Sequence, residues 1–390
     1  MQIRSIKVFV YKDDQHYRLS GTSATPGLIP GTDYFRPPAW RQSYSRKVES
    51  CLIKITTDNG VTGWGEAQSP LLPETTASII RHLLGPFLIG QNPLERSRIA
   101  DDAYHLNNIR GHGTGFMVDA ISGIDLALWD IAGKHYGASV CELLGGPFRR
   151  RLPAYVSGLR QPTIEEQCSA ARRFIDEGFA GIKLFLGYGV AEDIKAIRSV
   201  RNAVPEAQLY CDLLWRYNVG DAILVARALE GEGYEWLEAP VAHENLDGYR
   251  KLVQSVDIPI ASGEALRTPY EFQTWFENGA IEVAQPDVGR TGLSSGVKVA
   301  SLAEARSIQV APHVGVCSGI AMAATWQFAA AIPNFSVQEN QLEILRRTNR
   351  ILDQPLVVEN GELLVPDAPG LGVAVDENMV LESSSDHFEV

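Results

Sequence analysis

Between residues 183 and 339, short apolar runs recur along the chain, and each carries an ionisable residue at or near its end. They read GIKLFLG around Lys183, QLYCDLLW around Asp212, YEWLEAP around Glu238, IPIASGE ending at Glu264, IEVAQPD ending at Asp287, IQVAPH ending at His313 and FSVQE ending at Glu339. From Asp212 onward the pace is even: four of the five intervals are 26 residues, and the interval from Glu264 to Asp287 is 23. Runs of about four to eight residues rich in Val, Ile, Leu and Tyr read as buried strands. Between them, TPYEFQTWFENG and GLSSGVKVASLAEARS have the length and apolar spacing of amphipathic helices.

A strand and a helix repeating at this period form a βα unit, and unbroken apolar runs suit parallel strands buried on both faces. With YVSG near Tyr155 and the run at Lys183 there are eight strands. Eight units close a (β/α)₈ barrel, whose chemistry sits at the carboxyl ends of the strands. One acidic residue there is explained equally well as a cap for the next helix. Seven ionisable residues, each at its own strand end, fit a rim of functional groups.

Before the barrel, IRSIKVFVY alternates as a strand, and ESCLIKITTDNGVTGWGEA reads as a hairpin turning at DNG. From 13 to 44 the chain is rich in Gly, Pro and aromatic residues, including Tyr17, Tyr34, Phe35 and Trp40, which favours a lid that closes over a site. Helical periodicity runs from Pro73 to Leu84, from Pro93 to Asn108 and through FMVDAISGIDLALWDIAGKHYG. GHGTG at 111–115 lacks the Lys-Ser/Thr of a phosphate loop and has no strand before it, so it reads as a turn. After Glu339, LVVENGELLVPDAPGLG has strand-like pieces with no place in a full barrel, and these are expected to return to the first domain. The predicted division is 1–125, an α+β capping domain; 126–345, the barrel; and 346–390, a returning tail.

At 390 residues the chain is long for one domain. Its net charge of −12 argues against nucleic acid or an anionic membrane as partner, and an anionic substrate needs a local cation to draw it in. Cys51, Cys141, Cys168, Cys211 and Cys317 form no CxxC pair, and no N-terminal signal is visible, so a reduced cytoplasmic protein is expected.

Asp212, Glu238 and Glu264, on consecutive strand ends, place three like charges at one rim, where a hard divalent cation relieves their repulsion. Oxygen-only ligands favour Mg²⁺ or Mn²⁺ over zinc. Asp287 on the next strand end is placed to accept a hydrogen bond from His313, fixing its tautomer and raising its basicity. Lys183 is a candidate partner for a substrate carboxylate or a second acid/base, and Glu339 a candidate hydrogen-bond partner for an oxyanion or a substrate hydroxyl. General acid–base catalysis alone contributes roughly 10²–10⁴-fold. Removing a proton next to a carboxylate demands more, which a metal stabilising an enediolate supplies.

The chain resembles the enolase superfamily, mandelate racemase subgroup. The resemblance rests on GIDLALWDIAGK at 123–134, LLGG at 143–146, the Asp212/Glu238/Glu264 set, the Asp287/His313 pair, Glu339 and PDAPGLG at 366–372. It implies a modified (β/α)₇β barrel, a cap made from both termini, Mg²⁺ on the three carboxylates, a homo-oligomer, and specificity from cap loops, here 13–44 and around Gln68 and Ser69. Two positions depart from the family pattern. Lys183-Leu184-Phe185 stands where the family has Lys-x-Lys, and Leu214 stands where Asn or His is frequent. Both changes remove catalytic options across from His313. A single histidine then fits syn dehydration of an aldonate or aldarate to a 2-keto-3-deoxy acid. The alternatives are an epimerase, racemase or lactone cycloisomerase using Lys183 as second acid/base, and a silent homologue that binds a sugar acid. Arg290, Trp215 and Arg216 follow strand ends and are further candidates for substrate contact.

Overall fold

The computed structural model describes residues 1–13, 27–38 and 40–390. Tyr17, Gly21 and Pro26 of the expected lid lie outside the described residues.

Eight parallel strands form the barrel: β1 (Arg151–Leu159), β2 (Gly181–Phe185), β3 (Gln208–Asp212), β4 (Trp236–Glu238), β5 (Ile260–Ser262), β6 (Val283–Ala284), β7 (Gln309–Val310) and β8 (Gln338–Asn340). They pair in sequence from β1 to β7, and β8 pairs with β1. A bridge from Val310 to Phe335 closes the ring between β7 and β8. Seven helices alternate with these strands, and β8 is followed only by the seven-residue helix Leu342–Thr348. Local sequence sets the helix starts: Thr163 with Glu166, and Thr268 with Glu271, form reciprocal capping boxes.

The barrel interior is filled from below by Tyr155, Tyr210, Trp236, Ala261, Val283, Ala311 and Val337. Tyr210 lies 4.7 Å from Tyr155 and 4.1 Å from Trp236, centroid to centroid. This aromatic plug gives the polar groups at the strand ends an apolar floor.

The cap is an antiparallel sheet in the order Ser384–Glu389, Ile3–Asp13, Val48–Thr57, Thr62–Ala67. The last strand of the chain thus joins the first. The VVENGELL hairpin does not, contrary to expectation: its strands Val358–Glu359 and Glu362–Leu364 add to β1 through Leu363 opposite Leu152. β1 pairs with its barrel neighbours only from Ala154 onward, which leaves Arg151–Pro153 as an open edge that the hairpin covers. Helix Phe116–Tyr136 runs unbroken through the predicted 125/126 boundary, because it packs both on strand Thr62–Ala67 and on barrel helix Val288–Glu304. All five cysteines are free thiols. Among the described residues no helix is long and apolar enough to cross a membrane.

Contact between the cap strand and that long helix is close enough to demand glycine. A Cβ on Gly65 would stand 1.9 Å from the carbonyl oxygen of Gly123 and 2.7 Å from the Ala127 nitrogen. Gly231, by contrast, has open space around its Cα. Gly65→Ala is therefore expected to cost at least ~1–3 kcal/mol in denaturant unfolding, and Gly231→Ala to be neutral or stabilising by up to ~1 kcal/mol. Equal effects for the two would contradict this packing.

Candidate active site

The strand ends deliver the seven predicted residues to one mouth of the barrel, all with buried or nearly buried side chains. Asp212 and Glu238 are in register on β3 and β4, and Glu264 lies two residues beyond β5. Asp287 starts helix Val288–Glu304 and does both jobs weighed for it. Its Oδ1 accepts from the Gly289 amide at 2.9 Å as a cap, while Oδ2 lies 2.7 Å from Nδ1 of His313.

The pairing differs in detail from a set of three carboxylates around one ion. Lys183 Nζ donates to both oxygens of Glu238 at 2.9 Å and lies 3.0 Å from Glu339 Oε1. Gln285 Nε2 also donates to Glu238, at 2.7 Å. His313 Nε2 is 2.5 Å from Glu264 Oε2 and 3.8 Å from Glu339 Oε2. Among the described residues no three His, Cys, Asp or Glu side chains are gathered as a metal site. Protein cations stand on two of the three carboxylates: the ammonium on Glu238 and the imidazole on Glu264. The donor chemistry itself fits a hard divalent cation. Burial, and after it the charge of Glu238, with Glu264 adding less, lifts Asp212 well above the usual carboxylate range.

The surrounding carboxylates favour the protonated form of both cations. Burial opposes the ammonium of Lys183, but Glu238 and Glu339 outweigh it and hold the group well above the usual lysine range. Burial likewise opposes the imidazolium of His313. Glu264 and Glu339, with hydrogen bonds to Asp287 and Glu264, overcome it and push the ring well above the usual imidazole range. The reciprocal effect, against the pull of burial, draws Glu264 down to about 2.

Above these groups opens a cleft of about 290 Å³, lined by His313, Asp212 and Glu264 from the barrel and by Tyr44, Ser45 and Lys47 from the cap. Lys183 is not among its lining residues. Arg290 and Trp215 line the cleft as expected, whereas Arg216 is exposed outside it. Arg290 donates to Gln68 Oε1 at 2.8 Å and to the Glu264 carbonyl at 3.1 Å, tying a cap loop to the barrel mouth. Ser69 instead meets Thr76, within the cap. Phe185 and Leu214, the two departures from the family pattern, pack with Phe35 and Trp40 of the cap loop. Leu214 and Trp215 both hold left-handed backbone, at φ 51° and 56°, and the Leu214 amide donates to Asp212 Oδ1 at 2.7 Å. Such strain in non-glycine residues, costing about 1–3 kcal/mol each, concentrates at functional sites.

The sequence reading missed Gln285 and Arg160. Gln285 lies two residues before Asp287, close to the end of β6. Arg160 follows β1, the one barrel strand to which no end residue had been assigned.

Models of two families match the chain: the mandelate racemase / muconate lactonizing enzyme N-terminal domain over residues 38–145, and the enolase C-terminal domain-like family over 166–379. The chain belongs to the mandelate racemase group of the enolase superfamily. It is 36% identical to D-galactarolactone cycloisomerase of Agrobacterium fabrum, over 85% of this chain and 90% of that protein. It is 31% identical to D-galactonate dehydratase of Verminephrobacter eiseniae, over 91% and 94%. Among solved structures, a member of the enolase superfamily from Agrobacterium tumefaciens superposes with a TM-score of 0.93 at 30% identity, covering 100% of this chain and 99% of the other.

Lys183 is the counter-charge of two buried carboxylates, and removing one partner of a buried pair costs about 3–5 kcal/mol. Lys183→Met is expected to lose that much in denaturant unfolding, with part regained in Lys183→Met/Glu238→Gln. A loss below ~1 kcal/mol would show that the ammonium does not carry this role.

Proposed function

We propose that the protein removes water from a sugar acid, an aldonate or aldarate, by syn β-elimination through one imidazole. The observation that carries this reading is the pairing of His313 with Asp287 beside a cleft in which Phe185, not a second base, comes from β2. His313 Nε2 takes the proton α to the carboxylate, and the electron pair of that C–H bond forms an enediolate. As the enediolate collapses, the C–O bond to the β-hydroxyl breaks, and the imidazolium returns its proton to that oxygen, which leaves as water. The enol that remains tautomerises to the 2-keto-3-deoxy acid.

Asp287 accepts from Nδ1 throughout, which aims Nε2 at the cleft and stabilises the imidazolium between the two proton transfers. Glu264 and Asp287 together hold both ring nitrogens, so the imidazole becomes a base only when Glu264 turns from it. Asp212, Glu238 and Glu264 would hold Mg²⁺ or Mn²⁺, which when bound would supply positive charge next to the substrate carboxylate. Lys183, fixed beneath by Glu238 and Glu339, contributes charge and position and is not a second base. Glu339, whose Oε2 accepts from the Val314 amide at 3.0 Å, anchors the loop that carries the histidine.

A second reading shares the same step. In a lactone cycloisomerase the leaving oxygen belongs to the substrate's own ring, and the 36%-identical relative is named for such a reaction. The product separates the two: dehydration lowers the mass by one water, and cycloisomerisation conserves it.

With Mg²⁺ and a panel of acid sugars, the full-length protein is expected to form a 2-keto product one water lighter than its substrate. His313→Asn should lower kcat by at least ~10³-fold, since one group serves as both base and acid. Undiminished turnover in that variant would refute the role.

The metal has a readout that needs no substrate. Mg²⁺ is expected to raise the melting temperature, by about 2.7 kcal/mol of added stability when present at about a hundred times its dissociation constant. Asp212→Asn should abolish that gain and, in chelator, melt higher than the parent, because it removes one of the crowded charges. A Mg²⁺ gain that survives Asp212→Asn would remove Asp212 from the ligand set.

A further inference from the structure

Arg160 stands at the barrel mouth with buried donors that no hydrogen bond among the described residues satisfies. It lies just beyond β1 in SGLRQP, is only 8% exposed, and lines the same cleft as His313 and Glu264. Its guanidinium carbon is 4.0 Å from the centroid of the Phe185 ring and 5.4 Å from that of Trp40. Two aromatic faces, one from the barrel and one from the cap loop, therefore contact a single planar cation. Yet Nε and Nη1 are buried without any hydrogen-bond partner among the described residues. A bulge precedes it: pairing to β2 slips between Ser157 and Leu159, at Gly158 with φ 101°. Such bulges re-aim the side chains that follow.

A guanidinium cannot shed its proton to escape burial, and its donors in a fixed fork match a carboxylate with two parallel hydrogen bonds. An unpaired buried charge of this kind is costly unless a ligand completes it. The position of Phe185 matters here. Where relatives are expected to place a second lysine able to exchange protons, this chain has a ring that supports a cation able only to bind. In a chain of net charge −12, that cation also provides the local attraction an anionic ligand requires.

We propose that Arg160 receives a second carboxylate at the far end of the substrate, so that the enzyme selects dicarboxylic sugar acids over those ending in a hydroxymethyl group. The assignment rests on the sugar-acid reading above and narrows it to the aldarate class. The reacting carboxylate lies by His313, and the distal one meets the unpaired donors of Arg160. Phe185 and Trp40 hold that fork in place.

Galactarate and galactonate serve as probes, because they differ only in carboxylate or hydroxymethyl at C6. Their binding is measured by calorimetry with Mg²⁺ in the full-length His313→Asn background, so that neither is consumed. Galactarate is expected to bind more tightly, and added Arg160→Gln to weaken it about ten- to a hundredfold while leaving galactonate within about twofold. Arg160→Lys should recover part of the loss, supplying charge without the fork. Equal weakening of both ligands, unchanged binding of galactarate, or no preference for it while Arg160 is present would each overturn the proposal. The two readings fail separately. A dicarboxylate preference that vanishes with Arg160, in a protein that forms no keto acid, sinks the reaction alone. Keto-acid formation with indifference to the terminal group sinks the role of Arg160 alone.

Discussion

The central constraint on this molecule is negative charge crowded onto an apolar floor. Asp212, Glu238, Glu264, Asp287 and Glu339 converge at one end of a barrel plugged by Tyr155, Tyr210 and Trp236. Against them the protein sets Lys183, His313 and Arg290. In a medium of low effective dielectric each pairing is strong and each unpaired group expensive. Lys183 is consequently pinned by two carboxylates, His313 is held at both nitrogens, and Asp212 is left with its proton affinity raised. An ensemble balanced this way is prepared for added positive charge. On the proposed reading it also lets one imidazole serve as both base and acid, because its proton affinity depends on whether Glu264 faces it.

The cap is bound into the same balance. Glu66, at the end of a cap strand, is wholly buried and accepts from Ser50 Oγ at 2.6 Å, the Ser318 amide at 2.7 Å, Ser318 Oγ at 2.5 Å and the Ala321 amide at 3.0 Å. Those amides open helix Gly319–Ala331, which follows the His313 loop, so a cap carboxylate caps a barrel helix. Two residues on, Gln68 takes the Nε–H of Arg290, whose other arm reaches the Glu264 carbonyl. Cap and barrel thus meet through directional bonds at the cleft rather than by apolar contact alone. Phe35 and Trp40 add the apolar part, on Phe185 and Leu214.

The barrel was readable in the sequence because parallel strands buried on both faces cannot alternate, and because the 26-residue pace fixes where the next polar rim residue falls. Asp212, Glu238 and His313 all stand where that pace puts them. Pairings across the mouth were not readable: strand order brings Lys183 near Glu238, but only side-chain packing decides that the ammonium settles there. Arg160 escaped notice because the Gly158 bulge breaks the register that made the other strand ends legible. The VVENGELL hairpin was misplaced for a related reason. Its strand-like composition is silent about which open edge the strands cover, and the edge of β1 at Arg151–Pro153 exists only once the barrel has formed. Phe185 was legible as an absence of chemistry; its use as a seat for the cap loop and a guanidinium needed the fold.

The claim on which the account turns is that a single imidazole handles the α-proton, with no base on the other face. Its most direct test uses a substrate analogue lacking the β-hydroxyl, incubated with the enzyme and Mg²⁺ in D₂O and followed by NMR. One base predicts that deuterium replaces the α-proton with configuration retained and no epimer accumulating. Deuterium entering together with inversion would place a second base opposite His313 and contradict the account.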